Sequence, residues 1–126
     1  MSCITENTIV VRKSAEPDLL HDFTCEDAEM CRLRNCNRVY DSGEIVVYVF
    51  DCNGDQPWDV VGGDGLKLKP EDILCTETKY DEDELWTRVN TDGILRDTET
   101  PLAVFLKPLV PGNDYEDLAE RISYSI

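Results

Sequence analysis

The residues best placed to do chemistry are carboxylates, and they gather between positions 71 and 84. Glu71, Asp72, Glu77, Asp81, Glu82, Asp83 and Glu84 are seven negative groups, with Lys79 the one positive group among them. Like charges this close repel, so the stretch costs stability unless it is solvated or met by something cationic. Paired carboxylates can serve acid–base catalysis, but with 27 acidic residues in 126 some pairing arises by chance and marks no site. The other chemistry is a surface that holds Lys- and Arg-rich protein, and these seven residues are its candidate contacts.

The whole chain shares the bias, with 27 acids against 12 bases and a net charge of −15. Duplex DNA carries one charge per about 1.7 Å of axis, so fifteen charges match about 25 Å of duplex. A compact domain of this length has a radius of gyration of about 14 Å, hence a diameter of about 35 Å. The charge per unit length is therefore of the order of that of DNA. Such a surface repels nucleic acid and anionic membrane and attracts basic protein over distance. Residues 1–40 hold seven acids and five bases, and residues 41–126 hold twenty and seven, so the second part carries the acidity.

Other constellations are weaker. His21, Cys25, Cys31 and Cys36 offer four zinc-type ligands, but no Cys-x-x-Cys pair is present, and a helix through 25–35 would point Cys25 and Cys31 in different directions. The bland alternative is that the six cysteines are small buried hydrophobes. Asp51-Cys52-Asn53-Gly54-Asp55 resembles the opening of a calcium loop. It fails at the sixth position, Gln56 in place of Gly, and at the twelfth, Gly62 in place of a bidentate Glu. One histidine serves the whole chain, and no nucleophile motif, phosphate loop or dinucleotide fingerprint accompanies it. No cofactor is implied. Arg32, Arg34 and Arg38 are the only basic cluster, in a field that is otherwise negative.

The elements that must position these groups can be read from periodicity. Residues 44–50, Glu-Ile-Val-Val-Tyr-Val-Phe, put Ile45, Val47 and Val49 on one side of a strand and Val46, Tyr48 and Phe50 on the other. Both sides are apolar, so both should be covered, and this strand should lie inside the sheet. Residues 8–12 read as a first strand and 14–23 as a helix with Pro17 in its first turn. A second helix over 25–35 would be capped by Thr24, with Arg32 and Arg34 in its last turn. Residues 38–40 pair with 44–50 as a hairpin, and 56–61 make a return strand. Leu66 and Leu68 point inward, and Pro70 opens a helical turn. Residues 73–80 form a strand, 85–90 and 94–98 a hairpin about Thr91-Asp92-Gly93, and 102–106 a buried strand. Asn113 or Asp114 caps a last helix whose apolar face is Tyr115, Leu118, Ala119 and Ile122.

These readings predict a single α+β domain over 1–126. Six to seven short, mainly antiparallel strands form a curved sheet or small barrel, with one helix near the N-terminus and an amphipathic one at the C-terminus. The start of the chain lacks a basic region followed by an apolar run, and no stretch approaches a membrane span, which leads to a cytoplasmic protein with reduced thiols. The function expected is non-enzymatic: an acidic interaction protein that docks its carboxylates on a basic partner protein, including as an inhibitor that mimics or blocks bound nucleic acid. It would not bind nucleic acid or membrane itself. The alternatives are a structural subunit of a larger assembly, a small viral or complex component, with oligomerisation, and a small zinc-binding protein.

Overall fold

In the computed structural model, which describes residues 4–24, 34–53, 66–81 and 84–125, six antiparallel strands form one open sheet. The strands are β1 (Ile4–Arg12), β2 (Arg34–Asp41), β3 (Ile45–Asn53), β4 (Ile73–Asp81), β5 (Glu84–Thr91) and β6 (Ile94–Thr98). Their order across the sheet is β2-β3-β1-β4-β5-β6. The helices are α1 (Glu16–Thr24), α2 (Leu102–Leu106) and α3 (Gly112–Ser125), with short 3-10 turns at Lys13–Ala15 and Pro70–Asp72. The fold is α+β, as the pattern of elements predicts, and the sheet stays open rather than closing into a barrel.

The two-sided apolar pattern of β3 divides the core in two. Val46, Tyr48 and Phe50 join Ile9 and Val11 of β1, with Ala15 and Leu19 laid over them. Ile45, Val47 and Val49 join Val10 on the opposite face, under Leu102, Leu106, Val110 and Leu118. α1 therefore covers one face of the sheet, and α2 and α3 cover the other. The strongest strand in the sequence is interior, although β1 and β4 occupy the middle of the sheet.

The register of β4 shifts against β1 between Val10 and Val11, so that Val10 faces Cys75 and Val11 faces Ile73. The bulge changes the alternation: Ile73 lies in the α1-side core and Cys75 in the other. Beyond the bulge, Cys75 and Glu77 look toward α2, and Thr76 and Thr78 toward the α1 side. At the β5–β6 turn Asp92 and Gly93 take φ of 55° and 84°. Both central residues of a two-residue hairpin of this kind need positive φ, which suits Asp-Gly. Asn90 ties the turn down: its side-chain oxygen accepts the Gly93 N–H, and its amide donates to the Pro70 and Ile73 carbonyls, each at 2.9 Å.

Three expectations are corrected. Residues 102–106 form helix α2, not a strand: Leu102 and Leu106, one helical turn apart, are buried, and Val104 between them is 55 % exposed. A run of five apolar residues does not distinguish the two by periodicity. The helix proposed over 25–35 does not reach its end, because Arg34 and Asn35 belong to β2, and Thr24 is the last residue of α1; residues 25–33 lie outside the described residues. The last helix starts at Gly112, with the Pro111 carbonyl accepting the Tyr115 N–H at 3.0 Å. Asn113 and Asp114 are thus inside its first turn rather than capping it. The return strand expected over 56–61 also lies outside the described residues.

Candidate docking surface

The candidate carboxylates separate by position. Glu71 is exposed and Asp72 half-buried in the 3-10 turn before β4, and Glu84 is exposed at the start of β5. Asp81 ends β4, with its Cα opposite that of Glu84. Glu82 and Asp83, between those two strands, lie outside the described residues.

Glu77 is a correction. It is 6 % exposed, so it offers nothing to a partner. Its Oε2 accepts the Thr87 hydroxyl and the Leu102 N–H, both at 3.1 Å. Leu102 opens α2, and no side chain of its own N-cap residue, Pro101, makes a capping hydrogen bond. Glu77 satisfies one of the amide groups that a helix start leaves unpaired and places a negative charge at the positive end of the helix. A clue was present in the sequence: Glu77 stands two residues after Cys75 in a strand with apolar groups on both sides, and such a strand is covered on both faces.

Further carboxylates emerge from the fold. Asp41 at the end of β2 and Asp114 and Asp117 of α3 rim a depression of about 260 Å³ whose other walls are Val39, Tyr40 and Leu118. Sequence reading missed it because α3 and β2 meet only in the folded chain. On the exposed side of α3, Glu116 and Glu120 extend the negative surface.

Several of the cations are already engaged. Glu16 is a hub: Lys13 Nζ donates to it at 3.1 Å, Arg38 Nη1 at 3.1 Å and the Tyr48 hydroxyl at 2.6 Å. Lys13 and Arg38 also reach Asp41, at 2.6 and 3.3 Å. The Tyr48 hydrogen bond is the largest influence on Glu16; with the two cations it outweighs burial and holds that carboxyl below its ordinary value. Asp41 is held low chiefly by Lys13, and the Lys13 and Arg38 pKa values rise correspondingly. Arg88 pairs with Asp97 at 3.1 Å. The arginine cluster read from sequence thus resolves at Arg38 into a structural ion-pair network, and the side chains of Arg32 and Arg34 are outside the description.

The metal reading gains no support. His21 directs Nδ1 to Asp22 Oδ1 at 2.8 Å. Among the described residues no group of three His, Cys, Asp or Glu side chains is arranged to hold a metal ion. Cys25 and Cys31 fall outside the description and Cys36 lies within β2. Asp51, Cys52 and Asn53, the first residues of the calcium-like stretch, are paired strand residues opposite Glu6, Thr5 and Ile4. Among the described residues no helix is long and apolar enough to cross a membrane.

No family model matches the chain, and no curated protein or solved structure is similar to it.

Proposed function

We propose that this chain is a non-enzymatic interaction protein that docks its carboxylate surface on a basic partner protein in the cytoplasm, acting as an inhibitor where that partner's basic surface is a nucleic-acid site. The observation that carries the reading is the charge imbalance, −15 over 126 residues, set beside a surface on which Lys13, Arg38 and Arg88 are held in internal ion pairs. What remains outward includes Glu71 beside the β5–β6 turn, Glu84 at the opposite end of the β4–β5 pair, and Glu116 and Glu120 on α3. Fields of this sign speed the encounter with cationic surfaces and weaken steeply as salt is added.

The test is retention of partner from the native host on the immobilised chain, at low and high salt, beside a chain carrying Glu71→Lys, Asp72→Lys and Glu84→Lys. Loss of at least about tenfold in affinity, with the thermal midpoint preserved, is the expected result. Equal affinity of the two chains rejects this surface.

A second reading, a structural subunit, is favoured by the exposure of Leu85, Trp86, Ile94, Val104 and Leu109. Light scattering separates the two. An oligomer that persists at high salt supports the subunit, and a monomer that binds only at low salt supports docking.

A further inference from the structure

We propose that the outer edge of β6 receives an added strand: an extended segment of the basic partner pairs with Ile94–Thr98, β-branched at its centre and carrying lysine or arginine at both ends. This rests on the docking reading above and specifies how the partner is held.

The two edges of the sheet differ. β2 is interrupted by register shifts between Arg34 and Asn37 and between Arg38 and Tyr40, and α3 packs against it. Irregularity is one of the ways in which proteins blunt a sheet edge. β6, against which the 3-10 turn Pro70–Asp72 packs, instead pairs with β5 through five consecutive residue pairs without a shift. Among the described residues, no turn or loop backbone hydrogen-bonds to it.

The hairpin geometry fixes which backbone groups look outward. In a two-residue hairpin the closing pair, here Thr91 and Ile94, is a hydrogen-bonded one. Alternation makes Val89/Arg96 and Thr87/Thr98 hydrogen-bonded pairs as well. The N–H and C=O groups of Leu95 and Asp97 therefore point away from β5, as a template for another strand.

Side chains on this edge select the occupant. Ile94, at the turn end of β6, is 52 % exposed, and Leu85 and Trp86 are 51 % and 47 % exposed on β5 just beyond the last β6 pair, Thr87 with Thr98; exposed strand positions take β-branched neighbours. At the turn end stand Asp92 and Glu71, whose Cβ lies 3.9 Å from where a Cβ on Gly93 would sit. Glu99 is exposed at the other end beside Asp97, whose carboxylate already accepts Arg88, and the exposed Arg96 stands between the two ends. Carboxylates at both ends call for cations at both ends of the incoming segment. A second copy of this chain fits poorly, because it brings one charge of −15 against another. Antiparallel self-pairing centred on Arg96 or Asp97 would also set like charges directly opposite each other.

The test uses the intact chain and two synthetic peptides of equal charge, Lys-Lys-Val-Thr-Val-Lys-Lys and the same peptide with proline in place of threonine. At low salt the threonine peptide should bind about tenfold more tightly than the proline peptide and slow hydrogen exchange at the Leu95 and Asp97 amides. Asp97→Pro, which removes an outward N–H, should cost about tenfold in affinity, and Asp97→Asn, which removes only charge, less than about threefold. Equal affinity of the two peptides, or protection on α3 instead of β6, overturns strand addition and leaves charge docking standing. Binding of neither peptide overturns both. Should Asp97→Pro fail to fold, the peptide pair on the unaltered chain decides the matter.

Discussion

Replacing Asp22 by alanine should detach the segment that leads into β4. Asp22 is 2 % exposed. Its carboxylate accepts the Lys67 N–H at 2.9 and 3.0 Å and the Leu68 N–H at 2.7 Å. Those bonds hold Leu68, which is fully buried, in the core beneath α1. A negative charge in the last turn of a helix is unfavourable to the helix dipole, so the residue is explained by what it binds rather than by where it stands in α1. Alanine leaves two backbone N–H groups without their acceptor, each costing about 1–3 kcal/mol where water is excluded. Lys67 is nearer solvent than Leu68, which puts the total at about 3 kcal/mol. For a chain of this size that is a fall of about 10–15 °C in thermal midpoint. Asp22→Asn should lose less, about 1–2 kcal/mol, because the amide carbonyl still accepts.

The pH dependence of this loss has a definite sign. Burial pushes the Asp22 carboxyl up, but the His21 hydrogen bond and the two amides together hold it below its ordinary 3.8. A carboxyl depressed in the folded state contributes stability that is present above its unfolded pKa, about 4, and is lost as pH falls through the lower folded value. The gap between wild type and Asp22→Ala should therefore be full at pH 7 and narrow below about pH 4. Urea unfolding followed by circular dichroism gives both quantities, with an unchanged m-value showing that the cooperative unit is intact. A variant within about 0.5 kcal/mol of wild type at pH 7, or a gap that stays constant into strong acid, would show that Asp22 does not anchor Lys67 and Leu68 in this way.

Glu77→Ala should cost about 2 kcal/mol, because both the Leu102 N–H and the Thr87 hydroxyl lose their acceptor; Glu84→Ala, at an exposed site, should stay within about 0.5 kcal/mol of wild type, and urea titration compares them. Tyr48→Phe removes the 2.6 Å bond to Glu16 and should cost about 1 kcal/mol while raising the Glu16 carboxyl toward its ordinary 4.5. Stability drawn from Glu16 is present above that value and lost as pH falls through the depressed folded one, and a carboxyl titration followed by NMR reads the change. The Cys75 thiol is buried and pushed up to about 12, so alkylation at pH 8 should spare it in the native chain and modify it in urea, as read by peptide mapping.

The parts of the fold legible in the sequence are those in which one physical signal stands alone. The alternation of Ile45–Phe50 specified a strand buried on both faces, and Asp92-Gly93 specified the turn joining β5 and β6, because few other residues accept positive φ twice in succession. Where two signals coincide, reading fails. Leu102–Leu106 is apolar whether strand or helix, and the deciding group, Glu77, comes from another part of the chain. Glu77 itself was grouped with its acidic neighbours because sequence proximity suggests a shared surface. The β4 strand instead sends Glu77 inward and leaves Glu71 and Glu84 outside. The Asp41, Asp114 and Asp117 rim was beyond reach for the converse reason: no local pattern records that β2 and α3 will touch.

The proposed function is attraction between this anionic chain and a cationic surface, and association kinetics read that attraction without an intermediary. The host protein retained at low salt would be mixed with the chain across a series of ionic strengths. The association rate should fall at least about tenfold between about 20 and 500 mM salt, with dissociation changing much less. An association rate indifferent to salt contradicts the proposed function.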